Sequence, residues 1–528
     1  MPELLYDLIQ KQADITPAAN ALLHKNEVFT YSDLKFQTDH ACQKLLSLNT
    51  LPGERVAVYL PKIPETVFTI FGTAQAGGVF VPVNPLLKPQ QVSYILKDCN
   101  VRTLVTSSDR LKLLKDTLID CHDLRSIILV DKGEIPEDLL PQITIIRWHT
   151  PCAEAETNTS IRLIDTDMAA ILYTSGSTGN PKGVVLSHKN MLTGAHSVAS
   201  YLENSAQDCL LAVLPFSFDY GLSQLTTAFS VGASVVLMDY LLPRDVIKAT
   251  ARFQITGLAA VPPLWNQLAE LEWPEETKKS LRYITNTGGA MPVATTHKLV
   301  KYLPATAVYL MYGLTEAFRS TYLPPEQVAI RPESMGKAIP NAEILVLRED
   351  GTECAPGEPG ELVHRGSLVS MGYWNDPAKT AERFKAIPNK HPEIPLTEIA
   401  VWSGDQVKKD EEGFLYFISR KDEMIKTSGY RVSPTEVEEV LYSSSLIKEV
   451  VALGVAHPQL GQAILLLAIA GPDCNERSLL QYCQKELPNF MLPKKIIFID
   501  TLPRNQNGKI DRKTLATEYK DIFQESAS

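Results

Sequence analysis

Short apolar runs recur along the first 330 residues, at 55–60, 79–83, 103–105, 126–130, 210–214, 234–238, 257–261 and 283–285, with helically spaced stretches between them. Strands that alternate with helices predict parallel sheets covered by helices. Between about 341 and 420 the pattern changes to closely spaced strands at 343–347, 361–364 and 414–418, punctuated by Asp350-Gly351 and Glu412-Gly413. That spacing predicts a smaller β-rich subdomain packed on the first part. After Arg420 the chain restarts with a strand, a helix led by Ser433-Pro434-Thr435-Glu436, a strand pair around 457–461, a helix near 477–486 and a last strand at 495–499. These elements suffice for an independent α+β domain. The expected class is α/β, with a large core over 1–420 and a small C-terminal domain over 421–528.

The N-terminus sets Leu4, Leu5, Leu8 and Ile9 at helical spacing among early acids, which suits an amphipathic helix and not an export signal. The most apolar stretch, 67–83, contains Gln75, Gly72, Gly77 and Gly78 and leads into Pro82-Val83-Asn84-Pro85. It reads as helix, turn and buried strand, because a membrane span needs about 20 unbroken apolar residues.

At 528 residues the chain exceeds one core, and 45% apolar with 21% charged residues describes a globular protein. A net charge of −10 gives no support to nucleic acid binding. The cysteines Cys42, Cys99, Cys121, Cys152, Cys209, Cys354, Cys474 and Cys483 form no C-x-x-C pair, so each reads as a small buried apolar side chain in a reducing cytoplasm.

Candidate chemistry starts at Thr174-Ser175-Gly176-Ser177-Thr178-Gly179, continued through Asn180-Pro181 to Lys182. Glycines let backbone N–H groups turn around an anion, hydroxyls add donors, and Lys182 adds positive charge. A flexible linker has a similar composition. However, the flanks Ala169–Tyr173 and Val184–Leu186 read as buried strands, which favours a phosphate-holding turn between them. The loop lacks the Gly-Lys-Ser/Thr ending of a P-loop.

Four further segments carry polar groups. Tyr312-Gly313-Leu314-Thr315-Glu316 follows a strand, and Glu316 could hold Mg²⁺ beside phosphate or cap a helix. Trp402-Ser403-Gly404-Asp405 offers a carboxylate for two ribose hydroxyls, or a plain turn aspartate. The charged run 419–426 marks the joint between the two parts, as a solvated linker also would. Residues 503–512 suggest a hairpin presenting Lys509, a position where most lysines are merely solvated.

In content, order and spacing these segments resemble the adenylate-forming superfamily of acyl-CoA synthetases, adenylation domains and luciferases, from the N-terminal helix to about Lys513. The resemblance implies ATP and Mg²⁺ as cofactors, with the loop ending in Lys182 on the β- and γ-phosphates. It implies Thr315 and Glu316 at the α-phosphate and Mg²⁺, Asp405 and Arg420 on the ribose, and Tyr312 beside adenine. It further implies a catalytic Lys509 on a mobile lid domain hinged near Asp422, whose rotation would bring 426–431 over a thiol channel.

For the substrate, Phe218-Asp219-Tyr220-Gly221 resembles amino-acid-activating domains, where the aspartate pairs with the α-ammonium and the lysine corresponding to Lys509 contacts the carboxylate. Alternatively, Asp219 caps a helix beginning near Leu222. Tyr220, Ser223, Ala260, Thr287 and Met311 align with further pocket positions, and Arg319 aligns there but suits an amino acid poorly. The chain ends soon after Arg512, which suggests a stand-alone enzyme similar to those that load L-proline onto the phosphopantetheine of a separate carrier protein in secondary metabolism. The alternative is an acyl-CoA synthetase for a medium-chain or aromatic acid using free CoA. No membrane partner is expected.

Overall fold

The computed structural model describes residues 4–135, 142–151, 161–174, 181–387, 393–420, 423–427, 430–457, 460–506 and 508–523. Its first sheet has seven strands, in the order Thr144–Arg147, Ser126–Leu129, Val101–Thr106, Arg55–Tyr59, Val79–Pro82, Met168–Thr174 and Lys182–Ser187. All neighbours are parallel except the last pair. The strand Val79–Pro82 shows why these runs are continuously apolar: Phe80 faces one buried cluster, and Val79 and Val81 face another.

A second sheet of fourteen strands has a parallel centre formed by Asn20–His24, Ser234–Leu237, Cys209–Ala212, Gly257–Ala260, Tyr283–Asn286 and Ala307–Tyr312. The antiparallel strands Thr321–Leu323 and Ser334–Ala338 carry it into Leu415–Arg420, Ile399–Lys409, Gly360–Gly366 and Ala342–Leu347. The region 341–420 is therefore not a separate layer packed on the first part. It extends the same hydrogen-bonded sheet, because the linking strands leave no free edge between the two.

The third sheet comes entirely from residues after 424 and joins Tyr430–Val432, Ile425–Thr427, Gly461–Ala470, Ile447–His457 and Lys495–Phe498. The helices Pro434–Tyr442 and Glu476–Glu486 close one face through Val437, Leu441, Leu479 and Cys483. Hydrogen bonds among the described residues tie this part to the larger one: Asn84 Nδ2 donates to the Gln506 carbonyl at 2.7 Å, the Val293 N–H donates to Glu439 Oε1 at 2.9 Å, and the Ser433 hydroxyl donates to the Ile418 carbonyl. Between the two parts lies a cleft of about 2070 Å³.

The N-terminal helix spans Asp7–Ile15, and Leu4 and Leu5 are buried just before it. Among the described cysteines, all are free; Cys209 and Cys474 are partly exposed rather than buried, and Cys152 lies outside the described residues. No helix among the described residues is long and apolar enough to cross a membrane.

Candidate active site

The strands Met168–Thr174 and Lys182–Ser187 pair antiparallel on either side of the expected phosphate loop. Ser175, Gly176, Ser177, Thr178 and Gly179 lie outside the described residues. Its two ends, Thr174 and Lys182, line the cleft. The Lys182 ammonium sits 5.6 Å over the ring of Tyr373, and the Tyr373 hydroxyl donates to Glu316 Oε1 at 2.6 Å. Burial lowers the Lys182 pKa, with Lys379 adding to the effect. Thr315, Glu316 and Ala317 form a 3₁₀ turn two residues beyond the strand Ala307–Tyr312, with no side-chain cap. The helix-cap alternative for this pair is thereby removed.

Asp405 is not a turn residue. It lies in the strand Ile399–Lys409, directly across the ladder from Arg420. Gly404 precedes it with φ of +74°, a left-handed backbone that favours glycine. The Tyr312 hydroxyl donates to Asp405 Oδ2 at 2.5 Å. Oδ1 stands 3.4 Å from Arg420 Nε and makes no hydrogen bond among the described residues. Burial raises the Asp405 pKa against the opposing pull of Arg420.

Lys509 arrives from the opposite side on a hairpin closed by the Arg504–Ile510 bridge, with the Asn505 N–H donating to the Lys509 carbonyl at 2.7 Å. Two ion pairs anchor this hairpin to the small sheet and its helix: Arg504 with Glu449 at 2.5 Å and Arg512 with Glu438 at 2.6 Å. The lysine is not a solvated tip. Its ammonium lies 5.3 Å over the Phe218 ring, and a Cβ at Gly288 would come within 2.9 Å of its Cε. Burial lowers the Lys509 pKa, the negative charge of Asp219 raises it, and Arg420 lowers it further.

The remaining wall changes the expectation for Asp219. The helix Asp219–Val231 begins at Asp219 itself, so this residue is not the cap of a later helix. Its Oδ2 accepts from Arg319 Nη1 at 3.0 Å, with the two side chains 4% and 2% exposed, and its Oδ1 is 3.4 Å from the Thr315 hydroxyl. Arg319 Nη2 donates to the Ser223 hydroxyl at 2.7 Å, and the guanidinium lies 4.7 Å over the Tyr220 ring. The carboxylate expected to await an ammonium already has a cation. Burial nonetheless raises the Asp219 pKa, opposed by Arg319 and then Lys509. Tyr220 and Ser223 contact Arg319 but, like Ala260, do not line the cleft, whereas Thr287 and Met311 do. The Tyr220 hydroxyl is 2.5 Å from Thr285 Oγ1. Phe318, beside Arg319, has φ +57° and ψ −47°, a γ-turn conformation that costs a non-glycine residue about 1–3 kcal/mol.

Thr174, Lys182, Asp219, Met311, Tyr312, Thr315, Glu316, Asp405, Arg420 and Lys509 thus surround one cleft. Tyr220 does not join them, and Asp422 lies outside the described residues. The sequence reading missed Tyr373, Arg383, the hairpin anchors and the partner of Arg319. Only Arg319 carried a signal, as a charge in a pocket that had no use for it.

Among the described residues no three potential ligands cluster as a preformed metal cage. Glu316, one of the carboxylates lining the cleft, has one oxygen fixed by Tyr373 and still fits Mg²⁺, which takes few protein ligands and fills its shell with phosphate oxygens and water.

A cleft at the ends of parallel strands, entered by a lysine on a hairpin of the small C-terminal part, is the arrangement that the resemblance to adenylate-forming enzymes implies. Residues 9–374 match the AMP-binding enzyme family and residues 436–509 match the AMP-binding enzyme C-terminal domain, so the chain belongs to this family. It is similar to a long-chain-fatty-acid–CoA ligase of Escherichia coli O157:H7, 28% identical over 97% of this chain and 94% of the relative. It is also 29% identical, over 98% of its length, to tyrocidine synthase 3 of Brevibacillus parabrevis, but spans only 8% of that protein. Two linear gramicidin synthase chains of the same organism match similarly, and this chain spans 10% and 6% of them. Among solved structures, o-succinylbenzoate CoA synthetase of Bacillus subtilis with ATP and magnesium ion has a TM-score of 0.82 at 25% identity, covering 98% of this chain and 100% of the other. ATP-bound MatB of Rhodopseudomonas palustris shares the fold, with a TM-score of 0.86 at 24% identity and coverage of 99% and 100%.

Proposed function

We propose that this enzyme uses ATP and Mg²⁺ to activate a carboxylic acid that lacks an α-ammonium, and then transfers the acyl group to the thiol of CoA. The observation that carries this reading is the Asp219–Arg319 pair. A zwitterionic amino acid would set its ammonium beside Arg319 as well as Lys509, whereas a simple acid needs only Lys509. The match to a CoA ligase over nearly its whole length supports the same acceptor.

In this reading a substrate carboxylate oxygen attacks the α-phosphorus of ATP, the bond to the β-phosphate breaks, and pyrophosphate leaves. Both reactants are anionic, so Lys509 supplies positive charge where negative charge accumulates. Bound Mg²⁺ would neutralise phosphate charge, held by Glu316 in an orientation fixed by Tyr373. Asp405 accepts the ribose hydroxyls through its unbonded Oδ1, and Arg420 steadies it. Tyr312 borders the adenine, Thr315 the α-phosphate, and Thr174 to Lys182 the outer phosphates. Met311 contacts the acyl group. In the second step the thiol sulfur bonds to the acyl carbon, the thiol proton is lost, and AMP departs. The part after Arg420 acts as a lid hinged near Asp422, withdrawing Lys509 before the thiol enters.

A second reading is activation of a small amino acid, with L-proline first, for a carrier protein. It rests on Asp219 itself reaching the cleft wall beside Lys509, and on the similarity to tyrocidine synthase 3. Pyrophosphate release with ATP and Mg²⁺ across amino acids, octanoate and benzoate, followed by thioester detection with CoA, separates the two. Turnover confined to an amino acid, without acyl-CoA product, would reject the leading reading.

A further inference from the structure

Arg319 does not reach Asp219 by simple rotamer choice. The preceding residue, Phe318, is a fully buried aromatic at φ +57°, and the Arg319 N–H closes a tight turn onto the Ala317 carbonyl at 2.6 Å. A bulky side chain holds such a backbone only when its surroundings enforce it. Gly194, inside the helix His188–Tyr201, provides that enforcement. A Cβ at Gly194 would come within 2.3 Å of Phe318 Cδ1 and 2.6 Å of Cε1, so the ring occupies the space that any other residue at 194 would fill. The seated ring fixes the turn, and the Phe318 carbonyl in turn accepts from Arg319 Nη1 at 2.9 Å. The same Nη1 donates to Asp219.

We propose that Gly194 and Phe318 form a positioning lock that holds Arg319 against Asp219, and that this lock selects acids without an α-ammonium over their amino acid counterparts. The inference rests on the proposed substrate class but makes a separable claim. Neither Gly194 nor Phe318 lines the cleft. Their effect therefore passes through Arg319: with the ring displaced, the guanidinium loses its aim and Asp219 becomes free to accept an ammonium.

The test uses matched acids that differ only in the amino group: proline with cyclopentanecarboxylate, alanine with propionate, and phenylalanine with 3-phenylpropionate. For each pair, kcat/KM for pyrophosphate release gives an amino-to-desamino ratio. Gly194→Ala and Arg319→Met should each raise that ratio by about tenfold or more, the discrimination available when a buried polar partner is exchanged. A merely destabilised enzyme would lose both activities together and leave the ratio unchanged; that result in both variants would overturn the lock. If the wild type already prefers the amino acid, the proposed substrate class fails. The lock then still stands or falls on whether the two variants shift the ratio.

Discussion

The two walls of the cleft differ in how tightly their charged groups are paired. On the nucleotide wall, Asp405 faces Arg420 at 3.4 Å and keeps one oxygen without a hydrogen bond among the described residues, and Lys182 rests on an aromatic face. On the acyl wall Asp219, Arg319 and Ser223 are bonded to one another out of solvent at 3.0 and 2.7 Å, and the Arg319 Nε–H is left without a hydrogen-bond partner among the described residues. A wall with open groups is prepared to receive charge, and a wall with closed groups repels a second one. An uncompensated buried charge is so costly that the closed pair behaves as a neutral surface toward ligands.

The largest effect should come from the residue that spans both walls. Lys509→Ala should lower pyrophosphate release by about 10²–10³-fold, the loss seen when one group stabilising transition-state charge is removed. ATP affinity, measured by calorimetry, should change little. If affinity and rate fell equally, Lys509 would belong to ground-state binding, and the contrast between the walls would lose its bridge.

Next in size is the open wall itself. Asp405→Ala removes the acceptor for ribose hydroxyls and should raise the KM for ATP by about tenfold or more, the worth of a hydrogen bond to a charged group, while the KM for the acid stays put. Equal shifts in both would mean that the walls are not separable. The pH profile gives a subtler distinction. Burial sets the Lys509 pKa below the ordinary lysine value of 10.5, so its proton, and with it activity, is lost at lower pH than for a free lysine. The alkaline limb of pyrophosphate release should therefore fall below pH 10.5, and should move up in Lys509→Arg if that variant retains activity. The smallest effect is expected for Tyr373→Phe, which frees Glu316 Oε1. The Mg²⁺ concentration for half-maximal rate should shift several-fold, in keeping with a single hydrogen bond to a charged group.

The same contrast explains what the sequence could reveal. Parallel strands such as 79–83 and 257–261 are legible because burial on both faces demands unbroken apolar runs, and the observed strands fall within a residue or so of those limits. The nucleotide wall is legible because each of its groups follows a strand end or glycine within a short segment, as Asp405 follows Gly404. The acyl wall is not. Arg319 and Asp219 are 100 residues apart, and nothing local to either records that they meet. Gly194 in mid-helix reads only as a mild helix weakness until the Phe318 ring is seen against it. Likewise, the sheet continuity through Thr321–Leu323 and Ser334–Ala338 depends on pairing between distant strands, so 341–420 reads as a unit of its own.

The most direct test of the closed acyl wall removes turnover from the question. Two non-reactive acyl-adenylate mimics, the sulfamoyl adenosines of proline and of cyclopentanecarboxylic acid, differ only in the ring amine that would face Asp219. Isothermal titration of both against the wild-type enzyme should show the cyclopentane compound binding more tightly, because Arg319 already neutralises Asp219. Tighter binding of the prolyl compound would mean that an ammonium displaces Arg319, and would contradict the account.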